Sequence, residues 1–401
     1  MAVENLQTIK QSNRATVLNF IRQQEPVSRS DIARDLSLSP TTASAAVSDL
    51  IDSGLVREVG MGASTGGRRP ILLEINPKGG TVISVDVSGV YRGRIIRAAA
   101  LDLKSDILTE VMREQEVEGN EGMLTTVSNI IHDLIASPDV ELREAVAIGI
   151  SVPGLVNATR GELVFANMNI SRLALGPSLA REFQAPVLVL NSEDAAALGE
   201  YRFGAGRGCH SLLYLSVGSG TGIGLVVDGR IYQRGRTSAG EMGHVTLQPD
   251  GPLCRCGNRG CFSALVSSEA LVERVQSVLA ASNGPGAADL SPDNLDVPQI
   301  MRAAQAGQTH CLEAVTDAAG WVGQALGNLI NLLNPEVIAL GGELFEEDEF
   351  FFSVVQPIAR QRTLKDYVPG VQLVRSSLGR RAGLQGVALL ALDKLLDSST
   401  V

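Results

Sequence analysis

The order of apolar and polar positions divides the chain into a short helical head and a long body in which strands and helices alternate. In residues 13–24, Val17, Leu18 and Ile21 recur at helical spacing and predict an amphipathic helix. Ser28 then stands where a helix through about Leu36 needs its N-cap, with Asp31 at the spacing of a capping box. Ser39 caps the next helix, with Pro40 at its first position, where a missing N–H costs nothing. That helix would bury Ala43, Val47, Leu50 and Ile51 and end at Gly54. Its opposite face would carry Thr41, Thr42, Ser44 and Ser48. Strands over 55–59 and 71–75, joined by GMGASTGGRRP, complete a winged helix-turn-helix. In such a module the Ser39–Gly54 helix enters a major groove, while Arg68 and Arg69 on the wing meet phosphate or the minor groove. Two helices and a hairpin also suit a structural cap or a protein-docking module. The paired caps, short turn and double arginine together favour double-stranded DNA.

From Thr81 the period changes to that of strands. Segments 81–89, 94–103 and 107–117 read as three antiparallel strands, followed by a helix at about 121–136 and a strand through AVAIGISVPG. A hairpin around 158–167, the helix PSLAREFQ and the strand APVLVLN come next. A similar order restarts at Ser211 with LLYLSV, IGLVVDG and RIYQRG, the last two joined by an Asp228-Gly229 turn. Long helices, the strands EVIALGG and VQLVRSS, and a final helix GLQGVALLALDKLL finish the chain. Two β-β-β-α-β-α units in tandem predict a duplicated α/β body with a cleft between its halves, where small ligands sit. The expected division is a head over 1–78, a first half over 79–190 and a second half over 191–381. The helix 382–398 is expected to pack back on the first half.

Composition narrows the class. With 401 residues, 44% hydrophobic and 19% charged, the chain is neither disordered nor a coiled coil, and no apolar run is long enough to span a bilayer. The polar start, MAVENLQTIKQSNR, has no apolar signal core, so a cytoplasmic location is expected. Net charge is −10, but residues 1–80 carry +1 and the remainder −11. A near-neutral head on an acidic body permits contact with phosphate while the body is held away.

Three of five cysteines fall close together. His244, Cys254, Cys256 and Cys261 can supply three thiolates and an imidazole, which saturate a tetrahedral zinc ion and leave no position for water. Such a site is structural, with Gly257 and Gly260 providing the bends. The alternative is three buried thiols near an unrelated histidine. The glycine run Gly218–Gly224 lies between two strands and is therefore not a dinucleotide fingerprint. It suits either an anion-binding loop or a tight hairpin.

GEMGH (240–244) beside CRCGNRGC (254–261) resembles the ROK family of repressors and sugar kinases, as do SVPGLV (151–156), AAALGE (195–200), VGSGTGIG (217–224) and IALGGEL (338–344). The winged head ending in STGGRRP resembles the repressor branch. The resemblance implies an actin/hexokinase-like (ribonuclease H-like) duplicated body, one structural zinc, a homodimer or tetramer, and a sugar or sugar-phosphate effector in the interdomain cleft. It places Gly154, Asn167, Asn191, Ser192, Glu241 and His244 toward that effector. Family kinases carry Glu-Asn-Asp-Ala-Asn before the alanine run, the Asp being the general base. Here the stretch is Leu190-Asn191-Ser192-Glu193-Asp194. A serine hydroxyl has no accessible pKa near neutrality and cannot replace that base. Moving Glu193 or Asp194 into the same place would require a bulge or a changed helix start. The phosphate motif Asp-x-Gly-Gly-Thr is Asp86-Val87-Ser88-Gly89-Val90, and a sugar-binding carboxylate is Ser263. Losing two cleft carboxylates also makes a phosphorylated or acidic sugar a candidate effector. These departures imply a sugar-responsive repressor of carbohydrate-utilisation genes without kinase activity. An active sugar kinase with an accessory head, and a ligand-independent DNA-binding scaffold, are the rivals.

Overall fold

The computed structural model describes residues 2–63, 69–90, 93–138, 140, 146–166, 169–232, 240–281, 295–346 and 349–398. Head elements follow the sequence cues closely. Ser28 caps the helix Arg29–Asp35 in a full capping box with Asp31, and Ser39 caps Pro40–Asp52. Gly54 ends the second helix in the left-handed region, φ +73°. The wing strands Val56–Met61 and Ile71–Ile75 pair antiparallel, with the short strand Val27–Ser28 on the outer edge of the second. The first helix spans Ala2–Gln24, longer than its apolar stripe.

Each half of the body is built on one five-stranded sheet. The first runs in the order Val187–Asn191, Val146–Val152, Thr81–Val90, Gly93–Asp102, Ile107–Glu114. The second runs Gln372–Arg375, Val337–Gly341, Ser211–Val217, Thr221–Val227, Arg230–Ile231. In both, parallel strands lie on one side of the central strand and antiparallel strands on the other. The repeat expected from element order is thus present in the sheet topology. A three-stranded sheet, Leu155–Asn157, Glu162–Ala166 and Ile170–Leu173, replaces the simple hairpin expected near residues 158–167. Its third strand is too short and too polar to show period-two alternation.

The C-terminal helix Ala382–Ser398 ties these parts together. Leu384, Ala388, Ala391 and Leu392 recur on one face and join a buried cluster with Val17, Leu18, Ile21, Leu50 and Leu73 of the head and Val82, Ala99 and Leu101 of the first sheet. Arg22 pairs with Asp393, and Lys104 of the first half bridges to Glu25 (3.3 Å) and Glu74 (2.9 Å) of the head. Head and body therefore share one apolar core.

The opposite face of this helix crosses the helix Ser192–Phe203. A Cβ built on Gly386 would lie 1.7 Å from the Ala195 carbonyl oxygen, and one on Gly199 would lie 2.2 Å from the Ala382 carbonyl. Only glycine allows backbones this close. Gly386→Ala is expected to separate the two helices and cost about 1–3 kcal/mol, read as a fall in melting temperature. An unchanged melt would show that this crossing has slack.

Candidate functional site

The helix Pro40–Asp52 presents Thr41, Ser44, Ala45 and Ser48 outward, one exposed stripe at helical spacing. Ser39, which is exposed, and Thr42, which is half-buried, hydrogen-bond each other. The Ser39 hydroxyl accepts from the Thr42 N–H at 3.1 Å and lies 2.8 Å from the Thr42 hydroxyl. Their first role is the cap. Arg69 is exposed beside the wing, and Arg68 lies outside the described residues.

Between the two body sheets is a cavity of about 790 Å³. Gly154, Asn191, Ser192, Glu241 and His244 all line it, so five of the six effector positions expected from sequence share one space. Asn167 lies outside the described residues. Asn191 caps the helix Ser192–Phe203: its side-chain oxygen accepts from Glu193 N–H (3.0 Å) and Asp194 N–H (3.2 Å), and its amide donates to the Gly154 carbonyl (2.9 Å). Glu241 and His244 are exposed, while Ser263, where the family carries an acid, hydrogen-bonds Thr221.

Helix geometry around Ser192 corrects one expectation. The helix starts at Ser192 with no bulge, yet the long Glu193 side chain turns back so that the Ser192 hydroxyl donates to its carboxylate at 2.9 Å. A carboxylate therefore lines the cavity beside Ser192 without any shift of register. Burial pushes the Glu193 carboxyl up, opposed by hydrogen bonds from Ser192 and Asn191. A carboxyl group thus stands beside Ser192 after all.

Sequence reasoning weighed Asp194 only as a replacement base and did not single out Arg97. Asp194 is 1% exposed, and one carboxyl oxygen has no hydrogen-bond partner. Burial first, then the charges of Glu193 and Glu241, push its pKa up to about 8. It is thus largely protonated near neutrality. Arg97 is 6% exposed, lines the cavity, and stands opposite Asp86 across the strand pair. Burial lowers its pKa, and Asp86 opposes that shift. A lone arginine in the apolar run IIRAAAL was the available signal.

The ligand atoms of His244, Cys254, Cys256 and Cys261 all lie within 4.8 Å of one another. Cys254 Sγ is 3.6 Å from His244 Nδ1, and Cys256 Sγ is 3.7 Å from Cys261 Sγ. These are far longer than a disulfide and close to the edge of a tetrahedron with metal–sulfur bonds of about 2.3 Å. Gly257 (φ +93°) and Gly260 (φ +64°) make the bends between the sulfurs. Burial and the neighbouring thiols push the Cys261 thiol up to about 12, a crowding that a bound cation reverses. The four residues form a cluster that can hold a metal ion.

Residues 83–394 match the model of the ROK family, and residues 14–57 match that of a winged helix-turn-helix DNA-binding domain. The chain belongs to the ROK family. Within it, the chain is 28% identical to the xylose repressor of Bacillus subtilis over 98% of both chains. It is 30% identical to the DNA-binding transcriptional dual regulator NagC of Escherichia coli K12, over 97% of this chain and 94% of NagC. Among solved structures, a ROK family transcriptional regulator, a homolog of the E. coli MLC protein, superposes with a TM-score of 0.83 at 28% identity over 98% of both chains. A ROK glucokinase of Streptomyces griseus, in complex with glucose and AMPPNP, superposes with a TM-score of 0.67 at 30% identity. That comparison covers 99% of the kinase but 78% of this chain.

Asp194 binds its proton more tightly folded, at about 8, than unfolded, near 3.8. Native stability should therefore fall as pH rises between those values, by at most about 1.4 kcal/mol per pH unit. Asp194→Asn removes that penalty. The variant is expected to melt above the wild type at pH 7.5, with a smaller gap at pH 5. A gap of equal size at both pH values would contradict the assignment.

Proposed function

We propose that this ROK protein is a sugar-responsive transcriptional repressor of carbohydrate-utilisation genes, which binds its effector in the cleft and does not phosphorylate it. The observation that carries the reading is the joining of a winged helix-turn-helix to a kinase-like body whose base position is Ser192. The relatives named xylose repressor and NagC support it, because their resemblance spans nearly the whole chain, head included. Glu193 restores a carboxylate beside Ser192, but phosphoryl transfer also needs the phosphate motif. Here Ser88 replaces the first glycine of that motif and Val90 its threonine, and its Asp86 stands opposite Arg97 across the strand pair.

In this reading two protomers set their Pro40–Asp52 helices into successive major grooves of a near-palindromic operator, with Thr41, Ser44 and Ser48 toward the bases and Arg68 and Arg69 on the backbone. No described helix is long and apolar enough to cross a membrane. Operator binding would place the protein in the cytoplasm. The cysteine–histidine cluster would hold one structural zinc, whose role is to fix the loop that carries His244 to the cleft. Sugar binding selects one angle between the halves. The C-terminal helix is the route from cleft to head, because Leu384 and Leu392 pack in the core shared with the head while Gly383 lines the cavity.

Coupling of about 1–3 kcal/mol corresponds to a roughly 5–150-fold loss of operator affinity when sugar binds. A mobility-shift titration with D-xylose, D-glucose or N-acetyl-D-glucosamine is expected to show that loss with the protein still folded, and a coupled ATP-consumption assay to stay at background. Operator binding indifferent to all three sugars, or sustained ATP turnover, would contradict the reading. Native mass spectrometry should find one zinc per chain, absent from Cys261→Ser. A metal-free wild type with an intact fold would remove zinc from the account.

A further inference from the structure

We propose that Glu193 is the sugar-binding carboxylate of this cleft, taking over the acceptor role of the two carboxylates that Ser192 and Ser263 replace. The inference rests on the sugar-sensing function proposed above and names a residue for it.

Three constraints hold this carboxylate in place. Asn191 accepts from the Glu193 N–H at 3.0 Å, which fixes the residue in the first turn of the helix. The Ser192 hydroxyl donates to Glu193 Oε2 at 2.9 Å, which directs the carboxylate to the side of the helix that Ser192 occupies. Gly222, on the adjoining strand, leaves the space: a Cβ there would come within 3.0 Å of Glu193 Cγ and 3.1 Å of Cδ. The glycine run between two strands thus has a role apart from anion binding or a tight turn, because it makes room for an acid. Glu193, Ser192 and Gly222 all line the cavity.

The chemistry follows from these neighbours. The hydrogen bond from Ser192 shows the group acting as an acceptor, and a carboxyl group in that role can take hydroxyl donors from a vicinal diol. Ser263, by contrast, is hydrogen-bonded to Thr221. Glu241 lines the same end of the cavity and adds to the negative potential at Glu193. That end therefore accepts neutral hydroxyl groups and disfavours phosphate or carboxylate groups. The ligand class is a sugar with free vicinal hydroxyls at the end facing Glu193.

The test is calorimetry on the full chain with D-xylose, D-glucose and N-acetyl-D-glucosamine, alongside operator binding and thermal melts. Glu193→Gln keeps the shape and removes the charge. It is expected to weaken the sugar that the wild type binds by about 10–100-fold while operator affinity stays at the wild-type value and the melting temperature does not fall, since burial already disfavours the charged form of Glu193. The double variant Ser192→Asp, Glu193→Ala moves the acid by one residue and should recover most of the lost affinity. Equal sugar affinity in wild type and Glu193→Gln would overturn the assignment of Glu193 alone. Loss of fold or operator binding in Glu193→Gln, with no recovery in the double variant, would assign the residue a structural role and overturn it as well. Failure of the wild type to bind any of the three sugars would overturn the sensing function and this inference with it.

Discussion

The C-terminal helix must satisfy two cores at once, and the rest of the structure depends on that constraint. Leu384, Ala388, Ala391 and Leu392 bury themselves against the DNA-binding head and the first sheet. Gly383, on the other side, stands beside Asp86 and Ser151 near the cleft, and Gly386 touches the helix that begins at Ser192. A packed interior responds to displacement by shifting as a unit, because its side chains have little free volume. Any change in the angle between the halves that moves the Ser192–Phe203 helix therefore bears on the helix that seats the head. A head on a flexible linker would have no such obligation.

The cleft shows how a kinase scaffold can be made to bind without transfer. Glu193, Asp194 and Glu241 crowd one end, and the crowding is tolerable because Asp194 keeps its proton near neutrality. A neutral carboxylic acid there resembles, in shape and charge, the asparagine found at this point in the kinase pattern. At the other end a buried arginine faces the one acid left from the phosphate motif. In the proposed reading, hydroxyl recognition is retained at one pole, while the groups that would handle a nucleotide phosphate are altered at the other.

Much of this was legible in the sequence. Capping serines, the wing strands and the two tandem strand–helix orders were visible because each rests on local chemistry: a side chain on a nearby N–H, or a period of two or 3.6. The metal cluster was visible because its four residues lie within 18 positions and need only a bent loop to meet. What escaped notice depended on tertiary context. Glu193 looked like a first-turn helix acid one residue out of register, and only the length of its side chain and the space at Gly222 bring it back to Ser192. Arg97 became a cleft residue through strand pairing with Asp86. The joint between head and body was invisible because Leu384 and Val17 lie at opposite ends of the chain.

The central claim, that the cleft and the DNA-binding head communicate through the helix they share, is open to hydrogen–deuterium exchange with and without a saturating sugar. The account predicts altered protection along Ala382–Ser398 and in the Val17–Ile21 turn of the first helix, in addition to the residues lining the cavity. Changes confined to the cavity lining, with the C-terminal helix and the head exchanging at the same rates in both states, would contradict it.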